Sequence, residues 1–520
     1  MPSRRFPFAI AAARFALLCA LFLALPSAAD VRADGRQTPP QLDPKTAERI
    51  DQYISEEREA HNIPGVSVAV VGREGVSFAE GYGAARADGT PMTAQTPVHM
   101  GSAAQTVTAA ALIRLSRNGV LELDDRVSAH LDEERLAAVM HNEEPAGEEV
   151  LQAVRGVTVK QLLSHTSGIS ADGRITEDPG EAFIYSDVNY RLAGAVVEAV
   201  TRRPYEAYVA ENLFAPLSMS DCYPIPGSGS EVTAESGAEN VVEERGENLD
   251  GSVAQGHARG LFRINAPRSL DLAPREAGSS GLVCSAESGA RFLRALLSGE
   301  GPVLSRDGVD ALLEARGAAS GPGVDEDTSY AYGWLVDRVD SAPRVRHAGS
   351  AETSQAAYHL YPEDEVGVVV AINVNGPMLF GLSDTLAAGV KRLLAGDTPA
   401  PFEPLERAET TNLIVTVLAS LSLLRLLASI NRFRLRRRRH SVPAVTVRNV
   451  LVHGLIPLLI DVVILLFFLA AVPAGFNVGF SGLYDVAFDL FMLSVLGAVP
   501  LGSWALLRTV LFFTESRHGA

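Results

Sequence analysis

Three long apolar stretches near the C-terminus place the strongest limit on how this chain of 520 residues can fold. They cover residues 413–430, 450–471 and 486–507. A helix of about 20 apolar residues is long enough to cross the hydrocarbon core of a bilayer. We therefore expect residues 411–520 to form a membrane domain with three transmembrane helices, one for each stretch.

The charges beside these stretches predict their orientation. The segment between the first two stretches reads NRFRLRRRRHSVPAVTVR and contains seven arginines, whereas the loop at 473–484 has no lysine or arginine. Positively charged loops stay on the cytoplasmic side, so the first helix should run inward and the C-terminus should be cytoplasmic. Arg425 and Asp461 lie in or near the spans, and we interpret them as packing or interface residues rather than as a transport path.

Residues 1–29 have the pattern of a secretory signal peptide. Arg4 and Arg5 form a basic start, residues 15–25 an apolar core, and the small residues at 27–29 a cleavage site. An uncleaved membrane anchor is the alternative. Export agrees with the topology predicted from the arginine-rich loop, so the region before the membrane domain is expected on the extracytoplasmic side of the cell membrane.

The charge balance argues against one class of partner. The formal net charge is −17; residues 410–520 contain ten arginines and four acidic residues, a balance of +6, so the rest carries about −23. Nucleic-acid binding needs clustered basic charge, so we expect no nucleic-acid partner. The eleven histidines show no metal-ligand spacing, and we predict neither a metal nor another cofactor.

Two cysteines follow the signal peptide, Cys222 and Cys284. They could form a disulfide in an oxidising compartment or remain two buried thiols. The sequence leaves both alternatives open, because it does not fix the distance between their Cα atoms.

The exported region is predicted to be one α+β domain over residues 45–396. Its order is a strand pair, a long helical middle, a second strand pair and a final helix. That order predicts an antiparallel sheet built from both ends of the domain, with helices packed on it and a helical subdomain inserted between the ends. The active groove should lie between sheet and subdomain. A polar lead-in at 30–44 precedes the domain, and a Pro-rich linker at 397–410 follows it.

Apolar periodicity and turn signals predict the individual elements. The predicted helices are 46–59, a helix that opens at Ser102 and closes at Asn118, 159–163 with Thr158 as its N-cap, 190–201 and 382–395; the predicted strands are 66–71, 76–78, 355–361 and 366–373. Residues 131–157 are predicted to be helix and loop, and residues 224–260, rich in Gly, Ser and Glu, a long mobile insertion.

The turn at Gly101-Ser102 is the first candidate for chemistry. A serine at the N-terminus of a buried helix lies where backbone N–H groups and the helix dipole favour developing negative charge, which suits a nucleophile. Such a serine needs a basic partner one helical turn later, and that position holds Gln105. The chain contains only three lysines, Lys45, Lys160 and Lys391, so few could replace the missing base.

Five segments in order resemble one family. They are the Ser102 helix, LLSHTSGI, YSDVNYRLAGAVVEAV, NLFAPLSMSD and RHAGS. Together they resemble the serine β-lactamase and penicillin-binding protein superfamily over residues 45–396. The resemblance is greatest to its branch of class C β-lactamases, D-alanyl-D-alanine carboxypeptidases and esterases. It implies a β-lactamase/transpeptidase-like fold.

The resemblance also implies roles for particular residues. Ser102 would be the acylated nucleophile, Tyr185 the proton-transfer tyrosine, and His347 the replacement of a family lysine. The backbone N–H groups of Ser102 and Ser350 would form the oxyanion hole. Gly349 and the residue at position 187 would contact the ligand, and His165 in LLSHTSGI is interpreted as a loop-stabilising residue rather than a base.

Two positions depart from the family pattern of Ser-x-x-Lys and Tyr-x-Asn: Gln105 replaces the lysine and Asp187 the asparagine. An amide cannot accept the serine proton or supply the positive charge that lowers a tyrosine pKa, and a carboxylate disfavours tyrosinate further. The amide of Gln105 can, however, donate a hydrogen bond to the carboxylate of Asp187. We therefore predict a retained groove with lost or altered chemistry.

These residues support three functional hypotheses. The first is a membrane-anchored domain with reduced or lost serine hydrolase activity that binds a cell-wall peptide or a related small ligand. The second is an active esterase, D-amino-acid peptidase or weak β-lactamase in which Ser102 uses Tyr185 or His347 as its base. The third is a membrane sensor or transport-associated protein with the exported domain as its ligand-binding part.

Overall fold

The computed structural model describes residues 41–140, 148–224, 252–259, 265–268, 277–320, 324, 327–339, 342–376, 379–400 and 402. The predicted signal peptide, the three predicted transmembrane stretches, and most of the predicted lead-in, insertion and linker lie outside these residues. Within the described part of the chain, every helix is too short or too polar to cross a membrane.

The described residues contain ten α-helices. The α-helices of the described residues are α1 (Pro44–Ala60), α2 (Ala104–Arg117), α3 (Glu133–Met140), α4 (Glu148–Gly156), α5 (Val159–Leu163), α6 (Asp187–Thr201), α7 (Tyr205–Val209), α8 (Ala286–Ser298), α9 (Arg306–Leu313) and α10 (Leu382–Leu394). A 3₁₀ turn at Gly101–Ala103 runs directly into α2.

Most strands come from the two ends of the domain. They are β1 (Gly65–Gly72), β2 (Gly75–Gly83), β3 (Val98–His99), β4 (Tyr223–Pro224), β5 (Gly256–Arg259), β6 (Asn265–Arg268), β7 (Leu282–Cys284), β8 (Gly317–Ala318), β9 (Ser329–Tyr330), β10 (Leu335–Val339), β11 (Ala342–Ser350), β12 (Gln355–Tyr361), β13 (Val366–Ile372) and β14 (Val374–Asn375).

The main sheet has the strand order β2-β1-β13-β12-β11-β10-β9-β8, and every neighbouring pair is antiparallel. Strand β1 of the N-terminal hairpin pairs with β13 near the end of the domain, with Val68 opposite Val370. The prediction of an antiparallel sheet built from both ends is therefore confirmed. Two smaller sheets, β14-β5-β6 and β3-β7-β4, lie beside it.

Each face of the main sheet carries an apolar core, because successive strand side chains point to opposite faces. Val68 and Val370 pack with α1 and α10 on one face, and Ala69 and Val369 pack with α2, α6 and α8 on the other. The inserted helices thus cover the second face, as predicted for an inserted subdomain.

A cluster of charged side chains ties α10 to the sheet; we call it the arginine cluster, and it consists of Asp337, Arg344, Arg346, His359 and Asp384. Arg344 donates two hydrogen bonds to Asp337, at 2.8 and 2.7 Å. Arg346 donates to Asp337 at 2.8 Å and reaches both carboxylate oxygens of Asp384 at 3.3 Å. His359 Nε2 lies 2.8 Å from Asp384. Oppositely charged groups therefore meet in this buried region.

Several predicted elements agree closely with the structure. The helix at 159–163 has the predicted N-cap: Thr158 accepts from the backbone N–H of Gln161, whose side chain accepts in return from the backbone N–H of Thr158. Strand 355–361 has the predicted bounds, and α10 ends one residue earlier than predicted. Cys222 and Cys284 form a disulfide, which decides between the two alternatives.

Two parts of the chain differ from the predicted elements. The RHAGS segment, which was not among the predicted strands, lies inside β11, where it pairs with β12. Residues 256–259, assigned to a mobile insertion, form β5 instead. His257 of this strand hydrogen-bonds to the carbonyl of Asn373, and the Asn373 amide donates to the carbonyl of Gln255. These contacts to the sheet explain why an otherwise polar, Gly-containing stretch is ordered there.

Candidate active site

Two glycines hold the Ser102 turn against the end of β11. Gly101 has φ +55°, and a Cβ atom on it would lie 2.8 Å from the backbone nitrogen of Ser350. A Cβ on Gly349 would overlap the carbonyl oxygen of Met100. Side chains at these two positions would therefore push the strand and the turn apart. The backbones of Ser102 and Ser350, assigned together to the oxyanion hole, lie on these two closely packed segments.

The β3-β7-β4 sheet is joined directly to the same turn. Strand β3 leads directly into it, and the N–H of Met100 donates to the carbonyl of Leu282 at 2.8 Å. Cys284 in β7 is joined by its disulfide to Cys222, beside β4. The cysteines thus fasten the strands that position Ser102.

Around Ser102 lies a group of polar side chains, Ser102, Gln105, His165, Tyr185 and Asp187, which we call the serine cluster. The side chain of Ser102 lies beside that of Tyr185 and lowers the pKa of the tyrosine. Gln105 Nε2 donates to the Tyr185 hydroxyl at 2.7 Å and to Asp187 Oδ1 at 2.9 Å. The predicted hydrogen bond between Gln105 and Asp187 is present, and the bond to Tyr185 is an addition.

His165 fixes the orientation of the Gln105 amide. The backbone N–H of Ser186 donates to His165 Nδ1 at 3.3 Å, and the amide of Asn189 lies 3.1 Å from the same atom. Because a backbone N–H can only donate, Nδ1 is the acceptor, and the proton of the neutral ring lies on Nε2. That Nε2, 3.2 Å from Gln105 Oε1, donates to it. The carbonyl of Gln105 therefore faces His165 and its NH₂ group faces Tyr185 and Asp187.

Two residues that the sequence did not single out complete the surroundings. The Tyr330 hydroxyl donates to Gln105 Oε1 at 3.5 Å, and the Ser279 hydroxyl donates to Asp187 Oδ1 at 2.9 Å. No motif marked either of them. His165 was expected to stabilise its loop, which its contact with Ser186 does, but its contact with Gln105 was not foreseen.

The electrostatics of the cluster keep the tyrosine protonated. Burial raises the pKa of Tyr185 well above its ordinary value, and the negative charge of Asp187 raises it further; the neighbouring Ser102 and the hydrogen bond from Gln105 only partly oppose these effects. Burial, with a smaller effect of His347, lowers the pKa of His165 well below its usual range. At neutral pH both rings are uncharged, and Tyr185 is an acid rather than a base.

His347 lies on β11, two residues before Gly349, and so on the same face of the strand. Its ring centre is 6.5 Å from that of Tyr330. Burial, followed by the positive charge of Arg346, lowers the pKa of His347 to about 3. The imidazole is therefore neutral at physiological pH and is a weak base.

All three lysines lie elsewhere. Lys45 lies in the first turn of α1, Lys160 forms an ion pair with Asp124, and Lys391 lies 3.0 Å from Asp364. No lysine ammonium group thus replaces the one missing at position 105. Among the described residues, one set, Asp221 with Cys222 and Cys284, has metal-ligand proximity, but its cysteines are joined in the disulfide and offer no thiolate.

The fold and site define a class: a serine at the N-terminus of a buried helix lies between an antiparallel sheet and an inserted helical subdomain, with a tyrosine beside it. That is the arrangement of serine β-lactamases and penicillin-binding proteins. The beta-lactamase family model matches residues 50–390, and the chain belongs to this family.

Named relatives agree with this placement. The chain is 23% identical over 354 residues to Protein flp of Staphylococcus aureus (strain N315), covering 63% of each chain. It is 27% identical over 386 residues to penicillin-binding protein 4 of Amycolatopsis lactamdurans, covering 67% of this chain and 88% of the relative. The chain thus aligns with less than two thirds of Flp.

Solved structures confirm the fold. The octameric penicillin-binding protein homologue from Pyrococcus abyssi superposes with a TM-score of 0.54 at 22% identity, over 70% of this chain and 80% of that one. D-alanine carboxypeptidase AmpC from Burkholderia cenocepacia gives a TM-score of 0.52 at 17% identity, over 68% of this chain and 99% of that one. At these identities the likeness extends to the fold alone.

Proposed function

We propose that the domain is a ligand-binding member of the beta-lactamase family in which acylation by Ser102 is strongly slowed or lost. Its ligand would be a cell-wall peptide or a related small acyl compound bound in the groove between sheet and helical subdomain. The family membership of the chain supports the presence of a ligand-binding groove, and the residues around Ser102 support a slow or absent acylation step.

The observation that carries the proposal is the hydrogen bonding of Gln105. Its amide occupies the position of the family base and is fixed by His165, with its NH₂ group toward Tyr185 and Asp187. An amide in this orientation can only donate to the tyrosine, and it carries no charge that would stabilise tyrosinate. Removing a positioned base typically lowers a rate by about 10²–10⁴.

His347 supports the same proposal. With a pKa of about 3 it is unprotonated, but a base this weak gives little driving force for removing the proton of a serine hydroxyl. His347, the residue that could have replaced the lysine as a base, is therefore poorly suited to that role.

An active hydrolase is the second candidate, and one observation favours it. Ser102 lies beside Tyr185, and the close packing of Gly101 and Gly349 holds the Ser102 turn against β11. A site with its nucleophile and backbone donors in place can keep part of its rate, since these donors often make the largest single contribution to acyl transfer.

Covalent labelling of the full-length protein with a fluorescent penicillin and a fluorophosphonate tests the proposal. We expect slow or no labelling of the wild type, and labelling at least about 10²-fold faster in the double variant Gln105→Lys, Asp187→Asn, which restores the family pair. The double variant should also hydrolyse nitrocefin and p-nitrophenyl esters faster than the wild type does.

Ser102→Ala, in the wild-type and in the double-variant background, is the control for labelling at this serine. Wild-type labelling as fast as that of the double variant, and lost in Ser102→Ala, would establish the active hydrolase instead.

The proposal includes membrane anchoring, with the domain outside the cytoplasm and the C-terminus inside. The three apolar stretches, the arginine-rich loop at 431–448 and the signal-like residues 1–29 support it. Cysteine-accessibility labelling of intact cells, with single cysteines placed in the 473–484 loop and in the arginine-rich loop, tests it. The first should react with an impermeant reagent and the second should not.

A further inference from the structure

We propose that the domain is held with one corner toward the membrane, and that the lipid surface is the partner of this corner. The corner, which we call the tether corner, consists of His61, Asn62, Phe402 and the β5-β6 hairpin. The inference rests on the membrane anchoring in the proposed function and goes beyond it, because anchoring alone leaves the orientation of the domain open.

Arg49 of α1 fastens the chain that follows α10. Its guanidinium group donates to the carbonyl oxygens of Leu393 at 3.3 Å, Gly396 at 3.4 Å and Asp397 at 2.7 Å. The last carbonyls of a helix have no partner within the helix. Arg49 supplies donors at this point, and it thereby joins the end of α10 and the residues after it to α1.

The chain remains on the domain as far as Phe402. This side chain is only 5% exposed, and its ring centre lies 5.8 Å from that of His61, directly after α1. Between Asp397 and Phe402 the chain thus passes from Arg49 to His61, which are about 18 Å apart along the helix axis. The part of the linker that can separate the domain from the membrane therefore begins after Phe402 rather than at residue 397.

Few residues then remain before the membrane. The first predicted transmembrane stretch begins at residue 413, so ten residues, 403–412, separate it from Phe402. Even when fully extended, ten residues reach only about 35 Å. A compact domain of about 350 residues has a radius of gyration of about 20 Å and hence a diameter of about 50 Å. Since the tether is shorter than the domain is wide, the end of the domain opposite Phe402 cannot turn toward the bilayer.

Hydrogen bonds make the β5-β6 hairpin part of the same corner. Arg259 of β5 donates to the carbonyls of His61 and Asn62, both at 2.9 Å. Asn265 of β6 donates to the carbonyl of Asn62 at 2.8 Å. The hairpin is therefore fixed to the end of α1 and should face the membrane together with it.

Strand β5 connects the tether corner to the rim of the Ser102 groove. The N–H of His257 donates to the carbonyl of Thr353 at 3.1 Å, and Thr353 follows β11, whose end packs against the Ser102 turn. From His257 to Arg259, which contacts the end of α1, the strand advances only about 7 Å. The groove should therefore open close to the bilayer, where a ligand carried on the membrane surface can reach it.

Energy transfer to lipid headgroups tests this orientation. We would reconstitute full-length protein carrying Cys19→Ser into phosphatidylcholine vesicles that contain acceptor-labelled phosphatidylethanolamine, and attach a donor fluorophore to one introduced cysteine at a time. The native disulfide leaves Cys222 and Cys284 unreactive toward the label.

Three exposed positions serve as labelling sites. Ala266→Cys in β6 marks the tether corner, Glu352→Cys marks the groove rim beside Thr353, and Glu363→Cys marks the turn between β12 and β13 at the far end of β13. Because β13 is about 20 Å long, we expect energy transfer at Ala266→Cys to be at least about threefold more efficient than at Glu363→Cys. Transfer at Glu352→Cys should be closer to that at Ala266→Cys.

Two changes to the tether sharpen the test. Insertion of about 30 Gly and Ser residues after residue 405 makes the tether longer than the domain and should bring the three efficiencies close together. Arg49→Ala combined with Phe402→Ser releases the chain back to α10 and should reduce the ratio between Ala266→Cys and Glu363→Cys. Arg117→Ala is the matched control: this arginine also donates to a backbone carbonyl, that of Asp307, and the ratio should stay unchanged.

Equal transfer at Ala266→Cys and Glu363→Cys in protein that is inserted in the bilayer, or stronger transfer at Glu363→Cys, would overturn the inference and leave the anchoring and the proposed ligand binding standing. Protein that fails to float with the vesicles would overturn the anchoring, and the inference with it.

Discussion

The serine cluster and the arginine cluster lie on opposite faces of β11 and bury polar groups in different ways. In the arginine cluster, two guanidinium groups meet two carboxylates, so that Asp337 accepts hydrogen bonds from both Arg344 and Arg346. In the serine cluster, Asp187 accepts from the amide of Gln105 and the hydroxyl of Ser279, both uncharged donors. The arginine cluster is thus held by ion pairs, whereas Gln105 and Ser279 are uncharged donors to Asp187.

The difference shows what the replacement of a lysine by Gln105 preserves and what it removes. A buried network is stable when each donor finds an acceptor, and the amide of Gln105 achieves this through His165, Tyr185 and Asp187. Chemistry needs more than that: it needs a group that changes its charge near neutral pH. The polar groups of the serine cluster are joined by hydrogen bonds, while its two rings, His165 and Tyr185, have pKa values far from neutrality.

The largest effect is expected from Asp337→Asn, because it removes the charge that both arginines share. Breaking a buried ion pair by neutralising one partner typically costs about 3–5 kcal/mol, since the other charges stay buried. We expect a loss of about 3 kcal/mol in the free energy of unfolding, measured by chemical denaturation. Asp310→Asn, in an exposed pair with Arg306, is the control and should cost less than about 0.5 kcal/mol.

The same variant should change the acid sensitivity of the domain. Burial alone would raise the pKa of Asp337, but hydrogen bonds and charge from Arg344, and then Arg346, outweigh it and hold the pKa below its ordinary value. The stabilisation by this carboxylate is therefore present above about pH 4 and is lost as the pH falls further. An unchanged slope of stability against pH in Asp337→Asn would contradict the ion-pair description of the cluster.

The sequence predicted much of the fold because local patterns specify it. The strands show alternating or continuous apolar residues, Thr158 marks the start of a helix, and the Gly101-Ser102 turn marks the candidate active site. The hydrogen bond between Gln105 and Asp187 was also predictable, because two departures from one family pattern complement each other chemically.

Residues that depend on strand order were not predictable in the same way. Tyr330 lies 225 positions from Gln105 and reaches it only because β9 follows β10 and β11 in the sheet. The arginine cluster likewise depends on the register that puts Asp337 opposite Arg344. Neither contact has a local signal, because pairing across a sheet is set by the whole packing of the domain.

The second largest effect is expected from Gln105→Leu. This change leaves the Nε2–H of His165 and the hydroxyl of Tyr330 without their acceptor, and a buried donor left unsatisfied costs about 1–3 kcal/mol. We expect a loss of about 2 kcal/mol in unfolding free energy, smaller than that of Asp337→Asn because no ion pair is broken.

Thr106→Val is the matched control for Gln105→Leu. It changes the next residue of the same buried helix and removes a single local bond to the carbonyl of Ala103, so it should cost less than about 1 kcal/mol. If Gln105→Leu were no more destabilising than this control, the amide could not be the centre of the serine cluster.

The smallest effect, of opposite sign, is expected from Glu206→Gln in α7. This carboxyl is only 7% exposed, and neither of its oxygens has a hydrogen-bond partner among the described residues. Burial raises its pKa, with a smaller effect of Glu198. Because its folded-state pKa lies above the unfolded value, its favourable contribution is complete at low pH and is lost as the pH rises through the folded value. The neutral amide should therefore raise the unfolding free energy at pH 7 by about 1 kcal/mol and make the unfolding free energy depend less on pH.

Glu198→Gln should act in the opposite direction, because Glu198 is paired with Arg135 and accepts from the backbone N–H of Tyr205. Denaturation of both variants across pH 4–8 gives the comparison, and destabilisation by Glu206→Gln at pH 7 would mean that its carboxylate is satisfied in solution by contacts such as ordered water.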